Sequence, residues 1–189
     1  VAENVEYDYM RTEGRLTDAL WGYECLGYYN SQEEIDNDKV KSSFGTVKPG
    51  DLRYKDQNGD NVIDSKDRVV IGRWSAKFTG GMNLTLKYKN FTLFAMLTGQ
   101  FGGNAIKNDT YNWVYGERKY SDVVLGAWTA DKYKNGESIT YPRLTTQSGD
   151  NNFNTSDYWM YSTDRIDLNR VQLTYDFSKS LFGDNALVK

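Results

Sequence analysis

The longest regular pattern in the chain is an alternation of apolar and polar positions between Lys77 and Lys89. In KFTGGMNLTLKYK, Phe78, Gly80, Met82, Leu84, Leu86 and Tyr88 share one face, opposite Lys77, Thr79, Gly81, Asn83, Thr85, Lys87 and Lys89. A period of two marks a β-strand, and this one outruns the five or six residues usual in globular proteins. Past Lys89-Asn90 the alternation resumes in FTLFAMLTGQF. There Phe91, Leu93, Ala95, Leu97, Gly99 and Phe101 share a face, with Thr92, Phe94, Met96, Thr98 and Gln100 behind them. Two long strands about a two-residue turn predict a hairpin over residues 77–101.

Strand length can be set against a bilayer. Phe78 to Tyr88 is ten steps. At roughly 3.4 Å per residue that is about 34 Å, and a tilt of about 45° leaves a climb of roughly 24 Å. The apolar band of an outer-membrane barrel is ~25 Å tall, with aromatic girdles at both rims. Each strand begins and ends with an aromatic on its apolar face. The expected lipid-facing set is Phe78, Met82, Leu84, Leu86, Tyr88, Phe91, Leu93, Leu97 and Phe101, together with Ala95. Thr85, Lys87, Thr92, Thr98 and Gln100 would then face a lumen.

Other strand signals are fewer. Val5, Tyr7 and Tyr9 alternate in NVEYDYM. A late strand over about 166–177 places Val171, Leu173, Tyr175 and Phe177 on one face, with Ile166 and Leu168 in the opposite phase. That change of phase calls for a bulge near Asn169-Arg170. Two long polar stretches, about 11–75 and 102–163, separate these strands. Long loops alternating with one tight turn is the arrangement of a barrel, long outside and short on the periplasmic side; it is unusual for a compact soluble domain. The fold class expected is all-β: antiparallel up-and-down strands of a transmembrane barrel, present in part, with long extracellular loops.

Composition narrows the chemistry. The chain has 189 residues, a net charge of -3, 15% aromatics and no His. Without a basic stripe there is nothing to displace counterions from a phosphate backbone, so no nucleic-acid partner is expected. Without His, catalytic triads and most zinc sites lack their usual base or ligand. The single Cys25 allows no internal disulfide and reads as a packing residue. No run of about 18 apolar residues marks a membrane helix. Carboxylates are plentiful, yet no pair stands out as catalytic, so no enzyme is expected. The opening Val1-Ala2-Glu3-Asn4 carries neither Met nor a signal pattern, and reads as the start of a segment of a longer product.

Residues 56–67, DQNGDNVIDSKD, put oxygen-bearing side chains at the spacing of a calcium loop. Asp56, Asn58, Asp60, Asp64 and Asp67 take places 1, 3, 5, 9 and 12, with the Val62 carbonyl at place 7 and Ile63 as the apolar anchor at place 8. Place 6 is Asn61 rather than Gly, and place 12 is Asp rather than Glu. The flanks GDLRYK and RVVIGRW favour strand or turn, not helix, which argues against a regulatory helix-loop-helix sensor. A structural calcium ion is the one cofactor admitted, and an Asx-turn loop needing no metal is the competing reading. Either way the loop is a brace, not a switch.

These residues carry a resemblance. GDLRYKDQNGDNVIDSKDRVVIG, followed by YKNFTLFAMLTGQFGG, resembles the C-terminal half of the SusC/RagA family of TonB-dependent outer-membrane transporters. EGRLTDALWGYECLGYYNSQEEID upstream and AWTADKY, YPRL and RVQLTYDF downstream match in the family's order. The resemblance covers nearly the whole chain, residues 1–189, as a C-terminal barrel portion. It implies a 22-stranded barrel of which this chain supplies late strands and outer loops. The plug domain, the TonB-contacting segment and the early strands would lie upstream, and a closing strand beyond Lys189. It further implies TonB-energised import of glycans or peptides across the outer membrane, with a SusD-like surface lipoprotein as lid.

Within that picture, Trp113, Tyr115, Trp128, Tyr158 and Trp159 are candidate contacts for cargo or lid, against the plainer reading that they pack the loops together. The alternative function is a soluble calcium-braced carbohydrate-binding β module. In such a module one hairpin face should meet a second sheet. A barrel slice instead leaves two open edges and a bare apolar face.

Overall fold

A computed structural model describes residues 5–117, 120–146 and 151–177. Its contacts divide the chain into two compact units. One holds the chain up to Ser75 together with Asn104–Ser162, and the other holds Ala76–Gly103 with the chain from Thr163 onward. No helix among the described residues is long and apolar enough to cross a membrane.

The first unit is built from short pieces: β1 (Ala19–Gly22), β2 (Cys25–Tyr28), α1 (Gln32–Asn37), β3 (Lys41–Ser42), β4 (Leu52–Tyr54), β5 (Val62–Ile63) and β6 (Val69–Arg73). The second unit contributes β7 (Phe78–Tyr88), β8 (Phe91–Phe101) and, late in the chain, β11 (Arg165–Tyr175). Between these fall β9 (Asn104–Ile106), α2 (Ala130–Lys134) and β10 (Met160–Ser162), all of the first unit. Both helices are short and capped by a hydroxyl: Ser31 accepts from the Glu34 N–H, and Thr129 from the Lys132 N–H.

In the first unit β1 pairs with β6, β2 with β4 and β9 with β10, all antiparallel, while β3 and β5 pair in parallel. Leu20, Leu52, Tyr54, Ile63, Val114, Tyr141, Phe153 and Trp159 form the heart of its core. The two stretches expected as outer loops therefore fold together on a core of their own. Residues 118, 119 and 147–150 of the second stretch lie outside the described residues. The alternation at Val5, Tyr7 and Tyr9 does not make a strand. Asp8–Met10 is a turn of 3-10 helix, and the Tyr7 and Tyr9 rings stack at 5.5 Å. With Glu6 and Asp8 interleaved and the Tyr9 hydroxyl donating to the Lys66 carbonyl at 2.7 Å, the segment is held by its side chains.

The second unit is a three-stranded antiparallel sheet in the order β11-β8-β7. The hairpin falls where the alternation puts it: Phe78 pairs with Phe101, Tyr88 with Phe91, and every residue between is in register. Lys89 enters the turn at φ 51, a left-handed conformation that a residue with a Cβ adopts at some cost. The sheet's outer edges, β7 and β11, are both open, so the described residues form no closed barrel.

Candidate functional site

The chemistry of the sheet is a contrast between its two faces. Cross-strand pairs share a face, so Met82 sits opposite Leu97, Leu84 opposite Ala95, and Leu86 opposite Leu93. β11 would spoil this if its residues ran in unbroken alternation, because Ile166 and Leu168 are out of phase with Val171, Leu173 and Tyr175. The register slips between Leu168 and Arg170, leaving Asn169 as the extra residue. The bulge restores the phase: Leu168 faces Leu97, Val171 faces Ala95, Leu173 faces Leu93, and Tyr175 faces Phe91. Asn169 itself donates to the Thr98 hydroxyl at 2.7 Å, on the polar side. One change of a single residue thus aligns the apolar side chains of all three strands.

That face is open. Phe78 is 63% exposed, Tyr88 71% and Leu173 66%. Leu97, on the central strand, is half-buried by its neighbours. Aromatics close both ends of the face, with Phe78 and Phe101 at one and Tyr88, Phe91 and Tyr175 at the other; the Phe91 and Tyr175 rings lie 4.7 Å apart. The opposite face carries Thr79, Asn83, Thr85, Lys87, Thr92, Thr98, Gln100, Arg165, Asp167 and Arg170. Phe94 and Met96 interrupt it, and the Arg170 guanidinium covers the Phe94 ring at 5.9 Å.

The acidic loop lies in the first unit, and its side chains hold the backbone. Asp56 accepts from the Gly59 and Asn61 N–H groups at 2.7 and 2.8 Å. Asn58 accepts from Asp60 N–H, and Asp60 from Val62 N–H. Asp67 is completely buried and turns one oxygen to Gln57 N–H and the other to Asp64 N–H, each at 2.8 Å. Asp64 returns the cap to Lys66 N–H at 2.7 Å. Burial raises the Asp67 carboxyl above the usual carboxylate range, and the charges of Asp56 and Asp64 push the same way. Asn61 takes φ 65 at the place where a calcium loop has Gly. An all-oxygen donor set suits a hard cation. Among the described residues, however, no three carboxylates converge closely enough to hold one, so binding would exchange these backbone hydrogen bonds for cation contacts.

Sequence reasoning missed the polar clamp at the heart of the first unit. Asn151 and Asn152 lie buried against β4 like a short strand made of side chains. Asn152 accepts from Leu52 N–H at 2.8 Å, and the Asn151 amide donates to the Leu52 carbonyl at 2.6 Å. Asn152 also donates to Asp51, which is fully buried and meets Arg143 at 2.6 Å and Lys48 N–H at 2.7 Å. Only the isolated Asp51-Leu52 and Asn151-Asn152 steps signal this in sequence, a hundred residues apart.

Of the five aromatics offered as contacts, Trp113, Tyr115, Tyr158 and Trp159 pack into or against that core. Trp159 is 3% exposed, its indole N–H donates to the Asn152 carbonyl at 2.8 Å, and it is spent on packing. Trp113 packs edge-on to it, and Tyr115 leans on Phe153. The Tyr158 hydroxyl lies 2.8 Å from that of Tyr28. Trp113, Tyr115, Trp128 and Tyr158 keep partial exposure. Tyr111, Tyr120 and Leu125 are more open than any of these. Cys25 is a packing residue: burial pushes its thiol up to about 11.

No protein-family model matches the chain. Curated relatives do. The chain is 29% identical over 150 residues to the TonB-dependent receptor P39 of Formosa agariphila, a match covering 76% of this chain and 14% of the receptor. The TonB-dependent receptor P3 of the same organism is 22% identical over 178 residues, 93% of this chain and 16% of that protein. Among solved structures, the RagAB peptide importer in its open-open state matches with a TM-score of 0.59 at 20% identity, over 89% of this chain and 17% of the matched one. The chain therefore spans about a sixth or less of the proteins it matches. The fold likeness and the sequence relatives agree with the motifs read above: this chain is similar in sequence to TonB-dependent receptors and in fold to part of the RagAB importer.

Proposed function

We propose that β7, β8 and β11 are neighbouring transmembrane strands in the barrel wall of a TonB-dependent outer-membrane importer, and that the first unit belongs to its outer mouth. The observation that carries this is the continuous apolar face, three eleven-residue strands wide, bounded by aromatics and brought into phase by the Asn169 bulge. In water such a face would be a liability, whereas in lipid it is the required surface. The plug and TonB contact would come from other parts of the protein, and the cargo would be an oligomer, glycan or peptide. A SusD-like lipoprotein is the expected lid, met through partly exposed aromatics such as Trp128 and Tyr158. No catalytic role is proposed.

Envelope fractionation of the full protein tests the reading. A urea-resistant outer-membrane band whose mobility changes on boiling is expected. Nitroxide labels at Leu84→Cys and Leu86→Cys should be oxygen-accessible, and one at Thr85→Cys should favour a water-soluble relaxant. A urea-extracted product with no heat shift would favour the alternative, a soluble carbohydrate-binding module.

We propose a second, separable role for the acidic loop: a brace that takes up calcium through Asp56, Asn58, Asp60, the Val62 carbonyl, Asp64 and Asp67. The order of donors and the left-handed Asn61 support it. A calcium titration followed by thermal unfolding checks it. A melting temperature unmoved by millimolar calcium leaves the brace to its Asx turns alone.

A further inference from the structure

The polar face of the sheet is not flat. Near the end away from the Lys89-Asn90 turn it sinks into a trough of about 330 Å3, lined by Thr79, Gly81, Thr98, Gln100, Arg165 and Asp167. Gly81 is the floor. A Cβ there would meet only the Leu97 carbonyl at 3.5 Å and the Thr98 methyl at 3.7 Å, so the floor is open because a side chain is missing. Arg165 and Asp167 stand two residues apart on one strand, 2.9 Å from each other, with side chains 60% and 46% exposed.

The chemistry of the lining selects among oligomers. It offers hydroxyls, an amide, one cation and one anion, set in rows two residues apart on each strand. An extended peptide repeats on one face at the same interval, roughly 6.8 Å, and a glycine floor lets a main chain approach closely. Sugar rings favour an aromatic platform, and the lining side chains include none. We propose that this trough is a contact site for an extended peptide segment, with Arg165 and Asp167 engaging opposite charges two residues apart on the peptide. The proposal rests on the importer reading, under which the trough lies on the lumen wall near the outer mouth.

The test uses the full protein in outer-membrane vesicles and two fluorescent octapeptides of Gly and Ser, each bearing one Lys and one Glu. In one peptide the charges are two residues apart, and in the other three. Two exposed ion pairs, formed in place of the one between Arg165 and Asp167, predict ~2- to 5-fold tighter binding of the first. The double variant Arg165→Gln, Asp167→Asn should erase that difference, and Gly81→Trp should weaken both peptides. Equal binding of the two peptides, or a preference that survives the double variant, overturns the proposal. So does an oligosaccharide probe that Gly81→Trp blocks while the peptides stay unbound. A heat-modifiable protein without the spacing preference sinks the trough alone. A preference in a protein with no heat shift sinks the barrel reading instead.

Discussion

Phe78 and Phe101 face each other at the last pair of the hairpin, with ring centroids 6.4 Å apart and planes 27° from parallel. Each ring folds back over a glycine of its own strand. A Cβ on Gly80 would lie 3.3 Å from the Phe78 ring, and one on Gly99 would lie 3.1 Å from the Phe101 ring. Gly80 and Gly99 are themselves partners across the ladder. The paired glycines are thus a seat for the paired rings, which cover backbone that would otherwise lie bare. Gly99→Val should unseat Phe101 at a cost of about 1–3 kcal/mol, seen as a lower temperature for the loss of the compact gel form. Gly81→Ala, on the other face, should leave that temperature unchanged.

The Asn169 bulge gives a sharper test. Asn169→Ala keeps the extra residue and loses one side-chain hydrogen bond, about 1 kcal/mol. Deleting Asn169 removes the surplus residue and leaves Ile166, Leu168, Val171 and Leu173 in unbroken alternation on the apolar face, whereas deleting Gln172 turns Val171 to the polar face and Arg170 to the apolar one. Cell fractionation should find the Asn169→Ala and Asn169-deletion variants assembled in the outer membrane and the Gln172-deletion variant degraded or aggregated.

Asp51 is fully buried among Arg143, Asn152 and the Lys48 N–H. Asp51→Ala removes the buried carboxylate shared by Arg143, Asn152 and the Lys48 N–H, and should cost on the order of 3–5 kcal/mol. Limited proteolysis should then cut within residues 40–60 and 140–160 while β7 and β8 stay protected. Equal resistance to protease in wild type and variant would refute the role given to this clamp.

Cys25 makes a pH prediction. Burial raises its thiol to about 11, against roughly 8.5 in an unfolded chain. The folded state therefore holds its proton to higher pH than the unfolded state does. Stability linked to this group is complete below about pH 8.5, falls as pH rises toward 11, and totals about 3–4 kcal/mol. At pH 8 the native thiol should resist iodoacetamide, with mass spectrometry of the Cys25 peptide showing modification only after denaturation.

The sheet was legible in the sequence because its pattern is local. Phe78–Tyr88 and Phe91–Phe101 begin and end where the alternation does, since a strand with one lipid-suited face has to keep its period. The bulge was legible for the same reason, as a break in phase between Leu168 and Val171. In the acidic loop, the left-handed Asn61 and the strands on either side could be read from residue type. The first unit's core could not. Asn151 and Asn152 look like loop residues until Leu52 supplies their partners, and Trp159 looks like a contact residue until Phe153 and Tyr141 surround it. Val5, Tyr7 and Tyr9 misled because three alternating residues have no ladder to join.

The turn at Lys89-Asn90 is fastened to the third strand. The Asn90 carbonyl accepts from Asp176 N–H, and the Asn90 amide donates to the Asp176 carbonyl, each at 2.8 Å. The hairpin can form early from neighbouring residues, but β11 arrives only after the intervening chain, residues 102–164, has been gathered in. On arrival it has a fixed stop to meet. With Asp176 docked at Asn90, zippering runs away from the turn one pair at a time, Tyr175 on Phe91 and then Leu173 on Leu93, and the surplus residue is forced to emerge at Asn169. A two-point latch at one end of the sheet thereby decides where an irregularity appears several pairs away, and a late strand is spared the search among neighbouring registers.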